Sequence, residues 1–298
     1  MWVGNETDPT NFTLLGFFPE FRYITAVVSI ILLIYTAAFT SNTLLIVLIW
    51  LDSRLHTPMY SLLSQLSLMD LMLTSSIIPK MAVNFFSGWR SISFLACGTQ
   101  IFFSLTVAIA ECILITFMCF DRYVAICNPL RYPVVISPRV CLQMTAVPRE
   151  IPHFFCEVMA VLRIVCEDIL AYEKAVVVTS ILVLLLPLSL IVSSYVLIFL
   201  AVLRMNSPEG RNKALVPCSS HLCVVGLYFG PGMFIYMRPG SAKTPKLNQG
   251  LFLFGTVLTP LLNPLAYSIR NKEVLSALKK LMGGVSPPGR RQNFHHQL

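Results

Sequence analysis

"MCFDRYVAICNPLRYP", residues 118–133, ends a long apolar run on the charged triplet Asp121, Arg122 and Tyr123, and only then admits prolines. A soluble amphipathic helix scatters charge along one face, whereas here charge is withheld until the run is long enough to cross a bilayer. The pattern recurs outward from this stretch: mostly apolar windows lie near 24–49, 58–79, 99–120, 175–203, 214–237 and 247–269. Of 298 residues, 56% are hydrophobic and 12% charged, and the mean hydropathy is +0.73. One soluble core cannot hide that much apolar surface, so we read an all-α membrane protein with six clear spans.

Residues 1–20 carry no basic segment followed by an apolar stretch and a cleavage site, so the first span is expected to act as the targeting signal. "NET" at Asn5 and "NFT" at Asn11 are N-glycosylation sequons, which favours an N-terminus outside the cell. Basic residues give the same orientation when the spans alternate as in a seven-helix bundle. Ten of them (Arg54; Arg122, Arg131; Arg204, Arg211, Lys213; Arg270, Lys272, Lys279, Lys280) then flank the cytoplasmic side, against six outside (Arg22, Lys80, Arg90, Arg238, Lys243, Lys246). The net charge of +8 is therefore an orientation signal plus a basic tail near anionic membrane lipid, and no nucleic-acid partner is implied. The expected organisation is a glycosylated extracellular segment 1–23, a transmembrane region 24–269 and a cytoplasmic tail 270–298.

Four further segments accompany the charged triplet. "LHTPMY" (55–60) opens the second span, Ser194 and Tyr195 close the fifth helix of a seven-helix scheme, the 175–203 span, "KALVPCSSHL" (213–222) opens the next, and "PLLNPLAY" (260–267) closes the last. Together and in this order they resemble the odorant receptors, a branch of the rhodopsin-like G-protein-coupled receptors. The resemblance covers nearly the whole chain and implies a rhodopsin-like helix bundle, a multi-pass location in the cell membrane and no enzymatic activity. Its implied partners are a small volatile odorant and a heterotrimeric G protein of the stimulatory olfactory type.

The same resemblance assigns a cytoplasmic switch to Asp121, Arg122, Tyr123, Tyr195, His221, Asn263, Pro264 and Tyr267. Asp121 can hold Arg122 in a charge-assisted pair, and a released guanidinium can meet backbone carbonyls of a partner. Pro264 removes one backbone hydrogen bond and frees a carbonyl for a side chain or water, while Asn42 and Asn263 are placed to bond between helices. Asp70 and Glu111 lie inside spans, where each costs about 2.5–3.5 kcal/mol facing lipid, so both are expected to face inward. Two neighbouring carboxylates need a cation or a shared proton. The resemblance favours a sodium ion.

A ligand pocket is expected between the outer halves of the helices. Helical spacing puts Ser104, Leu105, Ala108, Ile109 and Cys112 on one side of the third span. Thr179, Val183, Phe229, Gly232, Tyr236 and Thr256 occupy matching depths elsewhere. Apolar walls with a few hydroxyls suit a small molecule anchored by one or two hydrogen bonds. Cys97 begins the third span outside, with Cys156 or Cys166 as its disulfide partner, and the resemblance points to Cys156.

The chain also departs from the family pattern. After "SPRVCLQMTA" (137–146) a fourth transmembrane helix is expected, but the sequence passes to "VPREIPHFFCE" (147–157). Every 20-residue window over 133–170 holds at least three of Arg139, Arg149, Glu150, Glu157, Arg163, Glu167 and Asp168, too many for a lipid-exposed helix. Pro217 stands where the family usually has threonine, and "YFG" (228–230) exchanges the usual aromatic order. Two functions follow as expectations: a signalling odorant receptor, or a receptor-derived product that lacks the fourth helix, cannot signal and is retained in the endoplasmic reticulum. An enzyme is not indicated, since no nucleophile, metal cluster or phosphate loop stands out. A transporter would not explain the ordered motifs.

Overall fold

No charged residue interrupts Ile24–Leu51, and that segment forms the single helix α1. The computed structural model describes residues 11–13, 23–87, 91–127, 178–237, 245–268 and 272–283. Helix α2, Pro58–Ser87, starts on a proline, whose missing N–H costs nothing at a first turn. Helix α3 is Phe94–Cys127. A π-helical turn, Ile181–Leu185, leads into α4, Leu186–Leu203. Helix α5, Pro208–Tyr236, is capped by Ser207, whose Oγ accepts from the Gly210 N–H at 3.3 Å. Helix α6, Pro245–Leu253, continues through a π-helical turn, Phe254–Leu258, into α7, Thr259–Ser268, and α8 is Lys272–Gly283. Outside the bundle, β1 (Asn11–Thr13) pairs antiparallel with β2 (Ser91–Ser93), Asn11 opposite Ser93.

Among the described residues, six helical segments are long and apolar enough to cross a membrane: Ile24–Leu51, Pro58–Ser87, Leu95–Cys127, Val178–Leu203, Pro208–Tyr236 and Leu247–Tyr267. These are the six spans expected from hydropathy. The segment in which the fourth helix is expected to be missing lies outside the described residues.

Prolines determine where the helices are pinned to one another. Pro264 has no N–H to give the carbonyl four residues back, and that carbonyl, on Pro260, accepts instead from Asn42 Nδ2 of α1 at 2.7 Å. Pro231 likewise leaves the Leu227 carbonyl, which shares the Thr259 hydroxyl of α7 with the Phe254 carbonyl, each at 3.5 Å. Pro187 leaves the Val183 carbonyl, which takes the Cys112 thiol of α3 at 3.3 Å. Three prolines thus free three carbonyls, and a neighbouring helix fills each one.

Thiols of α3 also fix the direction of α4. Cys112 donates to Val183 O, Cys119 to Ile191 O at 3.7 Å and Cys127 to Leu197 O at 3.9 Å, so residue numbers rise together along both helices. Helices α3 and α4 therefore run parallel.

Two further expectations are revised locally. Pro217 was expected near a helix start, but α5 already begins at Pro208, so Pro217 lies within the helix. The Ser207 cap and Pro208 at the first position set the start earlier than hydropathy suggests, because the polar first turn lies beyond the apolar run. Tyr195 lies within α4, two turns before its end rather than at it. At the end of the bundle that holds Arg122, the Tyr60 hydroxyl donates to Glu273 Oε2 at 2.9 Å, and buried Leu55 joins Val274 and Ala277 of α8 in one apolar cluster.

Asn42 is fully buried, and its amide also donates to Ala38 O at 2.9 Å. Replacing Asn42 with Ala strands the Pro260 carbonyl in a buried site. The expected cost is about 1–3 kcal/mol, read as a lower unfolding midpoint of the detergent-purified protein.

Candidate functional site

The inner end of the bundle gathers most of the switch residues named from the sequence. Asp121 is fully buried, and its Oδ2 accepts from Arg122 Nε at 3.1 Å and Nη2 at 2.5 Å. Beside the pair, His221 of α5 is buried, with Nε2 at 3.0 Å from the Ile115 carbonyl. A carbonyl only accepts, so Nε2 carries the proton and Nδ1 is the acceptor. Tyr195 OH, at 2.8 Å, therefore donates to Nδ1. The Tyr195 and His221 rings stack with centroids 5.9 Å apart. Tyr267 of α7 is buried nearby, and its hydroxyl has no partner. Tyr123 is partly buried and packs toward the apolar cluster that holds Tyr195, Ile198 and Cys218.

Asp70, Glu111 and Asn263 form a buried polar layer at the middle of the bundle, each exposed by 4% or less. Asn263 Nδ2 donates to Asp70 Oδ2 at 2.9 Å, while Asn263 Oδ1 and Glu111 Oε1 find no partner. Orphaned acceptors beside carboxylates make an oxygen-rich site that fits a hard cation such as sodium. The described residues hold no group of three His, Cys, Asp or Glu side chains that would take a transition metal.

The outer half divides the expected pocket residues. Cys112 and Phe229 are buried, Ala108 and Val183 half-buried, and Thr256 buried with its hydroxyl on Phe252 O at 2.9 Å. Gly232 and Tyr236 lie half-buried on α5. Ser104 is half-buried, with an unpartnered Oγ. Leu105 and Ile109, by contrast, are 40% and 41% exposed, and Thr179 is exposed too. A period of 3.6 groups residues by face but does not say which face meets a neighbour, and α4 covers Cys112 rather than Ile109. Cys97 is buried and disulfide-bonded, and its partner, like Cys156, Cys166 and Asn5, lies outside the described residues. Asn11 is in β1.

Matches to known proteins agree with this architecture. The model of the 7 transmembrane receptor (rhodopsin family) matches residues 41–267. Human olfactory receptor 2M5 is 44% identical over 302 aligned residues, covering 94% of this chain and 97% of that protein. The chain belongs to the olfactory receptors of the rhodopsin family. Mouse olfactory receptor 2V1 is 46% identical, with 94% and 96% covered. Human olfactory receptor 2T27 is 45% identical over 317 residues, with 99% and 100% covered. An alignment longer than this 298-residue chain has to open gaps in it, so that relative carries residues with no counterpart here. Like other olfactory receptors, the protein is a multi-pass membrane receptor and not an enzyme.

Two residues escaped the sequence reading. Gln100, 1% exposed with an unpartnered Oε1, sits one turn before Ser104, and a polar residue at that spacing in an apolar span was the available signal. Tyr228 donates its hydroxyl to the Ala108 carbonyl of α3. With the His221 to Ile115 bond it forms two ties between α5 and α3, two helical turns apart on both helices. No sequence signal marks a backbone carbonyl as a partner. Tyr228→Phe removes one tie and keeps the ring, which packs edge-on against Phe229. It should cost about 0.5–1.5 kcal/mol and speed amide hydrogen exchange selectively in α5.

Proposed function

We propose that the outer half of this bundle binds a small, volatile, mostly apolar odorant, and that the bound receptor activates a heterotrimeric G protein of the stimulatory olfactory type, raising cyclic AMP. The supporting observation is the position of Arg122. It ends an apolar span held to a neighbouring buried carboxylate, within a cluster where α3, α4, α5 and α7 converge through Arg122, Tyr195, His221 and Tyr267. A planar guanidinium with donors to spare suits the backbone carbonyls of an inserted partner helix. The walls named above are apolar, and the Ser104 hydroxyl and Gln100 amide oxygen are unpartnered groups that a ligand with one polar atom would satisfy.

The second reading, a signalling-incompetent product retained in the endoplasmic reticulum, is favoured by the gapped alignment and by the charges in 133–170. One pair of measurements separates the two. An N-terminal epitope stained on unpermeabilised cells, together with an odorant-driven rise in cyclic AMP that Arg122→Ala abolishes at equal surface expression, supports the receptor. Intracellular staining alone, with engineered glycosylation sites in 157–174 and 238–246 left unmodified, supports retention.

We further infer that a sodium ion occupies the layer of Asp70, Glu111 and Asn263, with the two carboxylates and the orphaned Asn263 Oδ1 as its oxygen ligands. The ion would balance the buried negative charge and hold α2, α3 and α7 together. Raising sodium at constant ionic strength should then raise the unfolding midpoint of the purified protein. Asp70→Asn combined with Glu111→Gln should flatten that dependence, and a wild type indifferent to sodium would instead indicate a shared proton.

A further inference from the structure

At the inner end of the bundle a cavity of about 40 Å³ lies between α2, α3, α5 and α7. Its polar lining consists of Arg122, Ser220, His221 and Tyr267, and Met59, Met118, Val216 and Pro217 complete the wall. His221 has both ring nitrogens engaged, by Ile115 O and Tyr195 OH. The other three groups have donors to spare. Tyr267 is 7% exposed with an unpartnered hydroxyl, and Ser220 is 4% exposed. Arg122 uses only Nε and Nη2, both on one oxygen of Asp121. Among the described residues no carboxylate lines the cavity.

We propose that this cavity binds a small monovalent anion, chloride first among them, held by the Arg122 guanidinium and the hydroxyls of Tyr267 and Ser220. Donor chemistry selects the charge: a guanidinium cannot accept, and two hydroxyls free to rotate can turn their hydrogens toward the same point. Volume selects the size. A water-sized particle needs roughly 10–15 Å³ of such space, so the cavity takes a halide or a very small oxyanion, but neither an odorant nor a lipid headgroup. Apolar Met59, Met118, Val216 and Pro217 make up the rest of the wall and lower the local polarity, which strengthens each charge-assisted hydrogen bond. Exposed Arg204, Arg211 and Lys213 at the same end of α4 and α5 raise the local anion concentration.

An anion here neutralises the face of Arg122 turned away from Asp121 and ties α7 to α3 and α5 through Tyr267. It would compete with any partner carbonyl that seeks the same guanidinium, and this consequence rests on the G-protein reading. The binding itself does not.

The test uses the purified full chain in lipid nanodiscs, with sodium concentration and ionic strength held constant while chloride replaces gluconate, an anion too large for the cavity. Chloride should raise the unfolding midpoint by a few degrees and broaden the chlorine NMR line in a saturable way. Ser220→Ala should weaken the apparent chloride affinity several-fold, and Ser220→Ala with Tyr267→Phe should remove both effects. Tyr35→Phe, which deletes a tyrosine hydroxyl bonded to Ser75 between α1 and α2, should keep both. No chloride-specific shift in the wild type would mean water alone fills the cavity, and effects that persist in the double variant would place the anion elsewhere. Either result overturns the proposal.

Discussion

A carbonyl freed by a proline inside a membrane helix must find a donor in the protein, because the hydrocarbon offers none. Much of this bundle follows from that constraint. Pro264, Pro231 and Pro187 each withhold an N–H, and Asn42, Thr259 and Cys112 supply the replacements from other helices. In water such a carbonyl would simply be hydrated and would fix nothing. In lipid the alternative costs several kcal/mol, so the prolines become addresses that state which helix must lie alongside which. Apolar packing alone gives no such specificity, since lipid tails compete with Leu and Ile on equal terms.

These pins also position the polar layers. Asn42 holds α7 at Pro260, one turn before Asn263, and so presents Asn263 to Asp70 of α2. Thr259, one residue before Pro260, joins α7 to α5 at Leu227, which precedes Tyr228, whose hydroxyl reaches Ala108 of α3. Further inward His221 repeats the α5 to α3 tie, and its remaining nitrogen is then committed to Tyr195 of α4. Arg122 and Asp121 lie where these ties end. A displacement of α5 from α3 at the inner end must therefore break the His221 to Ile115 bond, which couples motion of that helix to the surroundings of Arg122.

Spans and the charged ends of helices were legible in the sequence because hydropathy and basic flanks act over many residues at once. Asp70, Glu111 and Asn263 were legible as inward-facing because buried charge is costly wherever the helix turns. The pocket was only half legible. Period and depth select Leu105 and Ile109 as readily as Cys112, and which of them is covered depends on where α4 packs, information that no single helix contains. Tyr228 was missed because its partner is a main-chain carbonyl, which leaves no mark in the sequence, whereas Gln100 showed as a lone polar residue one turn before Ser104 and was passed over. Pro217 was misplaced because the polar first turn of α5, set by Ser207 and Pro208, extends beyond the apolar run.

The parallel course of α3 and α4 sets the sharpest demand on the rest of the chain. The register of Cys112, Cys119 and Cys127 against Val183, Ile191 and Leu197 puts the ends of both helices on the same side, so α3 ends and α4 begins at opposite ends of the bundle, and residues 128–177 join those two points. Length is no obstacle, because a fully extended chain gains up to about 3.3–3.6 Å per residue. Charge is the obstacle. The seven Asp, Glu and Arg residues from Arg139 to Asp168 would each cost about 2.5–3.5 kcal/mol at the centre of a lipid-facing helix, several times what a single side-chain pin returns. Receptor and retained product therefore differ less in their described helices than in whether this connection can shield its charges during insertion. The ties of α5 and α4 to α3 supply a driving force for the receptor-like arrangement only after the crossing has been made, so the deciding step precedes every contact that stabilises the site.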